Sequence, residues 1–440
     1  MISETFINRL HEYFGADVAN KVEEGLTKPA SVSIRKNSTK PRPLELDGSP
    51  VPWSENGVVL EKRPAFSLDP HFHAGAYYVQ DSSSMFLEAI LNRIDIDQED
   101  GIFALDACAA PGGKSILLAD YLNDKGFLIA NEIDSKRNAV LQENLLKWGA
   151  TNQAVSQLPT SKLSELGAVF DLIVIDAPCS GEGMFRKDPF AITQWSERLV
   201  EQCSMKQHEI LDDLSNCLRA KGILIYSTCT MNPSENENQI SRLLNDGYEL
   251  ALPRLDEFKE YLVPGMLNGI CHGYYLLPGI STGEGLFISV LRKLDNDPAR
   301  VKRGYRLTPF SQSTYFVENT NFDFEWHRNT EIFGVNDRFE LCRRLSDRFP
   351  FKSVGLPVLE PKGKDLIPLH GLAMHASASI DVELTQDQAL DYLRKDRISA
   401  ESKDSKKWQR VGYNESVLGW AKILPNRVNN YYPSYYKLRR

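Results

Sequence analysis

The sequence predicts an α/β fold: a mostly parallel sheet with helices on both faces, a small α+β region before it and a basic, aromatic region after it. Three observations lead there. The apolar runs IFALD (102–106), FLIAN (127–131), DLIVID (171–176) and GILIYS (222–227) are continuous rather than alternating, the pattern of strands buried on both faces. Helical patterns separate them, as parallel crossovers require. Each run ends in a turn rich in glycine, cysteine or acid, and in such sheets ligands gather at the carboxyl ends of the strands.

The elements follow in order. The first residues, MISETFINRLHEYFG, form an amphipathic helix with Phe6, Ile7, Leu10 and Phe14 on one side. They lack the basic start and apolar centre of a signal peptide. Residues 1–73 are mixed, with a strand-like IRKN and a Pro-rich stretch at 41–52. Residues 74–295 carry the strand and helix alternation. After IFALD a Gly-rich turn leads into a helix through Ile116, Leu117 and Leu118. In SKRNAVLQENLLKWG (135–149) Ser135 can cap a helix, Leu141, Leu145 and Trp148 share a face, and Gly149 stops it. Residues 193–220 read as one long helix. Residues 296–440 lose the alternation, although Thr385 and Gln388 have capping-box spacing before ALDYLR.

Composition narrows the class. Hydrophobic residues make up 42% and charged residues 25%, as in a globular protein. No run reaches the roughly 20 apolar residues that span a bilayer, and a cytoplasmic, monomeric protein is expected. Seven cysteines include no C-x-x-C pair, so no metal site is expected, and an odd count argues against a disulfide framework. Net charge is −8, yet the basic residues cluster. Residues 28–42 hold Lys28, Arg35, Lys36, Lys40 and Arg42 without an acid, and Arg35 and Asn37 are candidates for RNA phosphate contacts. Residues 403–440 hold nine basic residues against Asp404 and Glu415, with Tyr431, Tyr432, Tyr435 and Tyr436 among them. Basic residues mixed with aromatics suit a nucleic-acid strand; a solvated tail has the same composition.

The first loop reads DACAAPGGKS (106–115). Gly113, Lys114 and Ser115 fit the end of a P-loop, but Cys108 occupies the first glycine position, which excludes the phosphate cradle. Small residues and a helix start still suit a ligand that approaches the backbone and carries a carboxylate. Glu132, ending the second strand, stands where an acid holds a ribose diol. An adenosine-type cofactor fits both features.

Cys179 follows DLIVID and Cys229 follows GILIYS. If the two strands are neighbours, both thiols face one crevice. Asn232, Pro233 and Glu235 spell a helix start behind Cys229, and a helix start lowers a thiol pKa. Two thiols, an aspartate and an adenosine cofactor suit methylation of an unreactive pyrimidine carbon: thiolate addition at carbon 6 turns carbon 5 into a nucleophile. A cysteine protease needs a paired histidine, and none lies near either cysteine in sequence.

Together DACAAPGGK, DAPCSGEG and STCT-x-x-P-x-E-N-E resemble the NOL/NOP2/Sun family of RNA 5-methylcytosine methyltransferases, and YYVQDSSSM (77–85) and GEGLFISVLRK (283–293) resemble its flanking motifs. LHGLAMHAS (369–377) and LGWAKILPNRVNNYYPSYYKLRR (418–440) are similar to the bacterial RsmF-type enzymes that modify 16S ribosomal RNA, whose tail is a PUA-like RNA-binding module. The resemblance implies a Rossmann-like S-adenosylmethionine-dependent methyltransferase core. It implies cofactor contacts from Cys108, Ala109, Ala110, Pro111, Gly112, Gly113, Lys114, Glu132 and Asp176. It assigns the nucleophile to Cys229 and product release to Cys179, with Asp176 and Lys114 at the reacting centre. The Asp that the family usually carries ahead of DLIVID is missing from VSQLPTS (155–161), leaving Ser156 or Gln157 to stand in. Transfer RNA as acceptor, or a non-catalytic ribosome-assembly factor, would use the same fold.

Overall fold

The computed structural model describes residues 2–40, 46–97, 101–294, 324–328, 331–335, the isolated positions 338 and 345, and 350–439 apart from 364, 376–377 and 401–407. Among these residues no helix is long and apolar enough to cross a membrane.

The N-terminal helix runs Glu4–Thr27, capped by Ser3 and kinked at Gly15, where φ is 74°. Phe6 and Leu10 are buried in the core, with Ile7 and Phe14 packed against it. A four-stranded antiparallel sheet follows in the order β2 (Gly48–Pro50), β3 (Gly57–Leu60), β1 (Ser33–Lys36) and β4 (Tyr77–Val79). Its last strand lies beyond residue 73 and pairs with β1 through Ile34↔Val79.

The large sheet holds β5 (Ile102–Asp106), β6 (Gly126–Asn131), β7 (Gln153–Ser156), β8 (Phe170–Asp176) and β9 (Leu218–Thr228). These five run parallel in the order β9-β8-β5-β6-β7. The order reverses between β8 and β5, which makes a crevice above their carboxyl ends. Successive side chains divide between two cores, as the pleat dictates. Phe103, Leu105, Ile173, Ile175 and Tyr226 face the N-terminal helix and the helices Glu197–Ser215 and Glu237–Asn245. Ile102, Ala104, Leu172, Val174 and Ile225 face the helices Phe86–Leu91, Gly113–Leu122 and Ser135–Trp148. Beyond β9 the sheet continues antiparallel through β13 (Leu286–Lys293), β12 (Ile270–Leu276) and β11 (Val263–Leu267), and β10 (Tyr248–Leu250) also pairs with β13.

Local expectations were corrected in three places. The helix Ser135–Trp148 is capped by Asp134, whose carboxylate accepts from the Arg137 N–H. The pattern over 193–220 breaks at Trp195, so a short helix Pro189–Gln194 precedes Glu197–Ser215, and Leu218 already belongs to β9. Of the basic N-terminal residues, Arg35 and Lys40 are tied into the fold, Lys28 is exposed, and Arg42 lies outside the described residues. Arg35 is buried, ion-paired with Glu88 and with Asp120 at 3.0 Å. Asn37 and Lys40 cap the end of Ser135–Trp148 by donating to the Trp148 and Lys147 carbonyls. Neither Arg35 nor Asn37 is placed to meet a phosphate.

The C-terminal region contains two four-stranded sheets, one of β14 (Phe324–Arg328), β15 (Glu331–Val335), β17 (Leu356–Lys362) and β18 (Asp365–Pro368), the other of β19 (Val382–Glu383), β20 (Gln409–Tyr413), β21 (Ser416–Leu424) and β22 (Arg427–Asn430). Thr385 and Gln388 form the expected capping box on the helix Gln386–Leu393. The strand β16 (Ser353–Val354) leaves this region to pair antiparallel with β7.

Candidate active site

A cleft of about 800 Å³ opens over the carboxyl ends of β5, β6, β8 and β9. Of the residues expected at the site, Cys108, Ala110, Glu132, Asp176, Cys179 and Cys229 line it. Ala109, Pro111, Gly112, Gly113 and Lys114 are not on the lining, and Lys114 reaches the site only through Asp176. Gly112 sits at φ 117°, where a side chain is strained, and a Cβ there would meet Leu141 at 3.2 Å. A Cβ on Gly113 would meet Tyr78 at 3.2 Å. Both glycines therefore let the loop close against neighbouring protein.

Because β8 and β9 are adjacent, with Asp176 opposite Ser227, the loops that follow them meet. The Sγ atoms of Cys179 and Cys229 are 2.9 Å apart and both thiols are free. The hydrogen bond with Cys229, burial and the nearby Glu235 push the Cys179 pKa well up. Lys114 reaches the same place from the helix start and donates to Asp176 across 2.8 Å. The Ser227 hydroxyl donates to the same oxygen. Lys114 is buried, but Asp176, Asp106 and Cys229 more than offset the cost and raise its pKa. Burial, and then the charges of Asp106 and Asp176, push the Cys108 thiol up, so Cys108 is an unreactive wall residue.

Away from the thiols the walls turn apolar through Ile133, Leu158, Pro159 and Ile210. Glu132 is 3% exposed; its carboxylate accepts from the Asp134 N–H and lies 3.3 Å from Arg137. An acid beside a flat apolar slot matches the ribose and base of an adenosine cofactor, and these residues fit S-adenosylmethionine. The polar groups of the third-strand loop are used internally: Ser156 donates to Asn131 at 2.8 Å and Gln157 to the Ile133 carbonyl at 3.1 Å. Glu209, Asp212 and Asp213 also line the cleft, and Asp213 accepts from the Thr160 hydroxyl at 2.6 Å.

The helix behind Cys229 begins only at Glu237. The Glu235 N–H does donate to Asn232 Oδ1 at 3.3 Å, one half of a capping box, but the contact closes a turn ahead of the helix. Its amino end is therefore not immediately behind the thiol. Asp106 was overlooked in the sequence, although it ends β5 as Asp176 ends β8. It is fully buried, accepts from Ser115 at 2.6 Å, and burial pushes its pKa up to about 7.

Comparison with known proteins follows this division of the chain. Residues 93–292 match the family model for the 16S rRNA methyltransferase RsmB/F, residues 2–82 the N-terminal domain of 16S rRNA methyltransferase RsmF, and residues 379–438 the methyltransferase RsmF PUA domain. The ribosomal RNA small subunit methyltransferase F of Aeromonas salmonicida is 30% identical over 92% of this chain and 90% of its own length. The chain belongs to the RsmF family. The namesake from Shewanella loihica is 29% identical over 92% of this chain and 89% of its own. Among solved structures, a methyltransferase homologue from Pyrococcus horikoshii is 28% identical and aligns with a TM-score of 0.56 over 66% of this chain and 95% of its own. NSun6 from Pyrococcus horikoshii with SFG has the same TM-score at 20% identity, a likeness of fold alone. The RsmF family assignment makes the core a Rossmann-like methyltransferase domain and the end of the chain a PUA domain.

Proposed function

We propose that this protein methylates carbon 5 of a cytosine in RNA, with 16S ribosomal RNA as the acceptor, through a covalent bond between Cys229 and carbon 6. The observation that carries the reading is the meeting of two free thiols at 2.9 Å beside the Lys114–Asp176 pair, on one cleft. Simple methyl transfer to an amine or a hydroxyl needs no thiol. Addition to a pyrimidine ring needs a nucleophile, and a second acidic group then has a use when the adduct breaks down.

Cys229 attacks carbon 6, with the Lys114 ammonium near its sulfur. Asp176, exposed by 37% on its side chain, faces the ring and stabilises the charge that develops on it. S-adenosylmethionine, when bound, supplies the electrophilic methyl group that carbon 5 takes up. Cys179 is held as a neutral thiol by its hydrogen bond with Cys229 and by burial, so it is the poorer nucleophile and the better proton carrier. Asp176 takes the carbon-5 proton, and the electron pair left behind restores the carbon 5–carbon 6 double bond and expels the Cys229 sulfur; Cys179 passes a proton to that sulfur and is reprotonated from solvent. The target base has to leave its stack for a thiol to reach it, and the RNA is held by the basic, aromatic end of the chain.

The test is to replace each cysteine separately and incubate the protein with RNA and cofactor. Cys229→Ala abolishes both methylation and adduct. Cys179→Ala accumulates a protein–RNA adduct that survives denaturing electrophoresis. Swapped phenotypes reverse the roles, and methylation surviving in both variants removes the covalent mechanism.

A further inference from the structure

Two acids behind the thiols have no part in the chemistry described so far. Glu182 lies three residues after Cys179, and Glu235 six residues after Cys229. They are 1% and 0% exposed, and neither has a cationic partner among the described residues. Each carboxylate instead collects neutral N–H donors. Glu182 accepts from the backbone N–H of Met231 at 2.6 Å, from Trp195 Nε1 at 2.9 Å and from Asn232 Nδ2 at 3.3 Å. Glu235 accepts from the backbone N–H of Ser180 at 3.0 Å, from Gln207 Nε2 at 2.8 Å and from Asn232 Nδ2 at 3.0 Å.

The pattern is reciprocal. The acid on the Cys179 loop grips the backbone of the Cys229 loop, and the acid on the Cys229 loop grips the backbone next to Cys179. Asn232 joins the two carboxylates. Gln207 adds a second hold on the Cys179 loop by donating to the Pro178 carbonyl at 2.9 Å. Ser180 and Thr230 share a hydroxyl contact at 2.9 Å, and the Gly183 N–H donates to the Cys229 carbonyl at 2.7 Å. Burying two carboxylates without a cation is costly. A packing role would be filled more cheaply by apolar residues, whereas acceptors for three converging donors at each acid require carboxylates.

We propose that Glu182 and Glu235 are positioning residues, a reciprocal clasp that sets the separation of the Cys179 and Cys229 thiols. Glutamine cannot replace either one, because its amide would point two hydrogens at a group that donates already. The clasp acts asymmetrically on the reaction. Glu182 fixes the backbone beyond the nucleophile, and Glu235 fixes the backbone beside the releasing thiol. This consequence rests on the cysteine roles proposed above; the thiol spacing does not.

The spacing is read directly with a trivalent arsenical, phenylarsine oxide, which binds tightly only where two neighbouring thiols can both bond the arsenic, their two protons leaving with the oxide oxygen as water. Cys203→Ser is kept as background, because Cys203 lies close to Glu235 and Cys229. In that protein Cys179→Ala or Cys229→Ala removes tight binding. Glu182→Gln and Glu235→Gln each weaken it at least tenfold, with melting recorded alongside. Gln207→Leu, a milder cut in the same link, weakens it severalfold and serves if Glu235→Gln does not fold. Arsenical affinity unchanged in folded glutamate variants overturns the clasp. In the RNA assay Glu235→Gln accumulates adduct and Glu182→Gln forms less of it. Loss of spacing without this split keeps the clasp and removes the cysteine roles.

Discussion

Lys114 Nζ lies 2.8 Å from Asp176 Oδ1, so a cation from the start of one helix is anchored on the carboxylate that ends β8. It is the only ion pair that either side chain makes among the described residues, and it stands beside the thiols. Lys114→Met removes the cation and keeps the length of the side chain. A drop of about 10²–10³ in the single-turnover methylation rate is expected, with RNA binding retained in a filter assay.

Arg35 shows what the basic N-terminal stretch does instead of binding RNA. Its guanidinium bridges Glu88 and Asp120 in a largely buried setting. Arg35→Met leaves both acids without their cation and should cost about 3–5 kcal/mol, seen as a lower calorimetric Tm. RNA affinity of the folded fraction should not change.

Asp106 makes stability depend on pH. Its folded pKa is raised to about 7 from an ordinary 3.8 by burial, with Asp176 adding to the rise and Ser115 and Lys114 opposing it. Between these values the folded chain holds a proton that the unfolded chain has lost. Stability from this group therefore falls as pH rises from about 4 to about 7, at up to about 1.4 kcal/mol per pH unit, and is level above that. Asp106→Asn should show its largest relative gain in denaturation midpoint above pH 7 and none near pH 4. An equal difference at both ends removes the assignment.

At the end of the chain only part of the aromatic set faces outward. Tyr432 is buried in the core of the C-terminal module, whereas Tyr435 is 77% exposed and Tyr431 44%. Tyr431 stacks edge-on against Trp408, and Lys422 lies over that indole at 4.4 Å. Tyr435→Ala should lower RNA affinity by about 1–3 kcal/mol if it stacks on a base, without moving Tm. Binding should also weaken steeply with salt.

Strands and loops of the core were legible because they are local. IFALD is β5 residue for residue, and DLIVID lies within β8. The turns after them carry chemistry that a short string can spell. What was not legible depends on which groups meet across the fold. SGEG and SENE each contain a glutamate, and nothing in either string says that it is buried or that it serves the other cysteine's loop. Arg35 and Asn37 look like surface residues until β1 and the helix Ser135–Trp148 are brought together. The continuation of the sheet through β13, β12 and β11 was missed because hairpin pairing over β9 is decided by tertiary contact.

The two-residue pairing of β16 with β7 has a consequence for how the molecule can be divided. A fragment ending near residue 294 would present the outer side of β7 with its backbone donors and acceptors open, an invitation to a second copy. Self-association of such a fragment would then reflect a missing cover strip. Ser353 and Val354 thus guard the open edge of the large sheet.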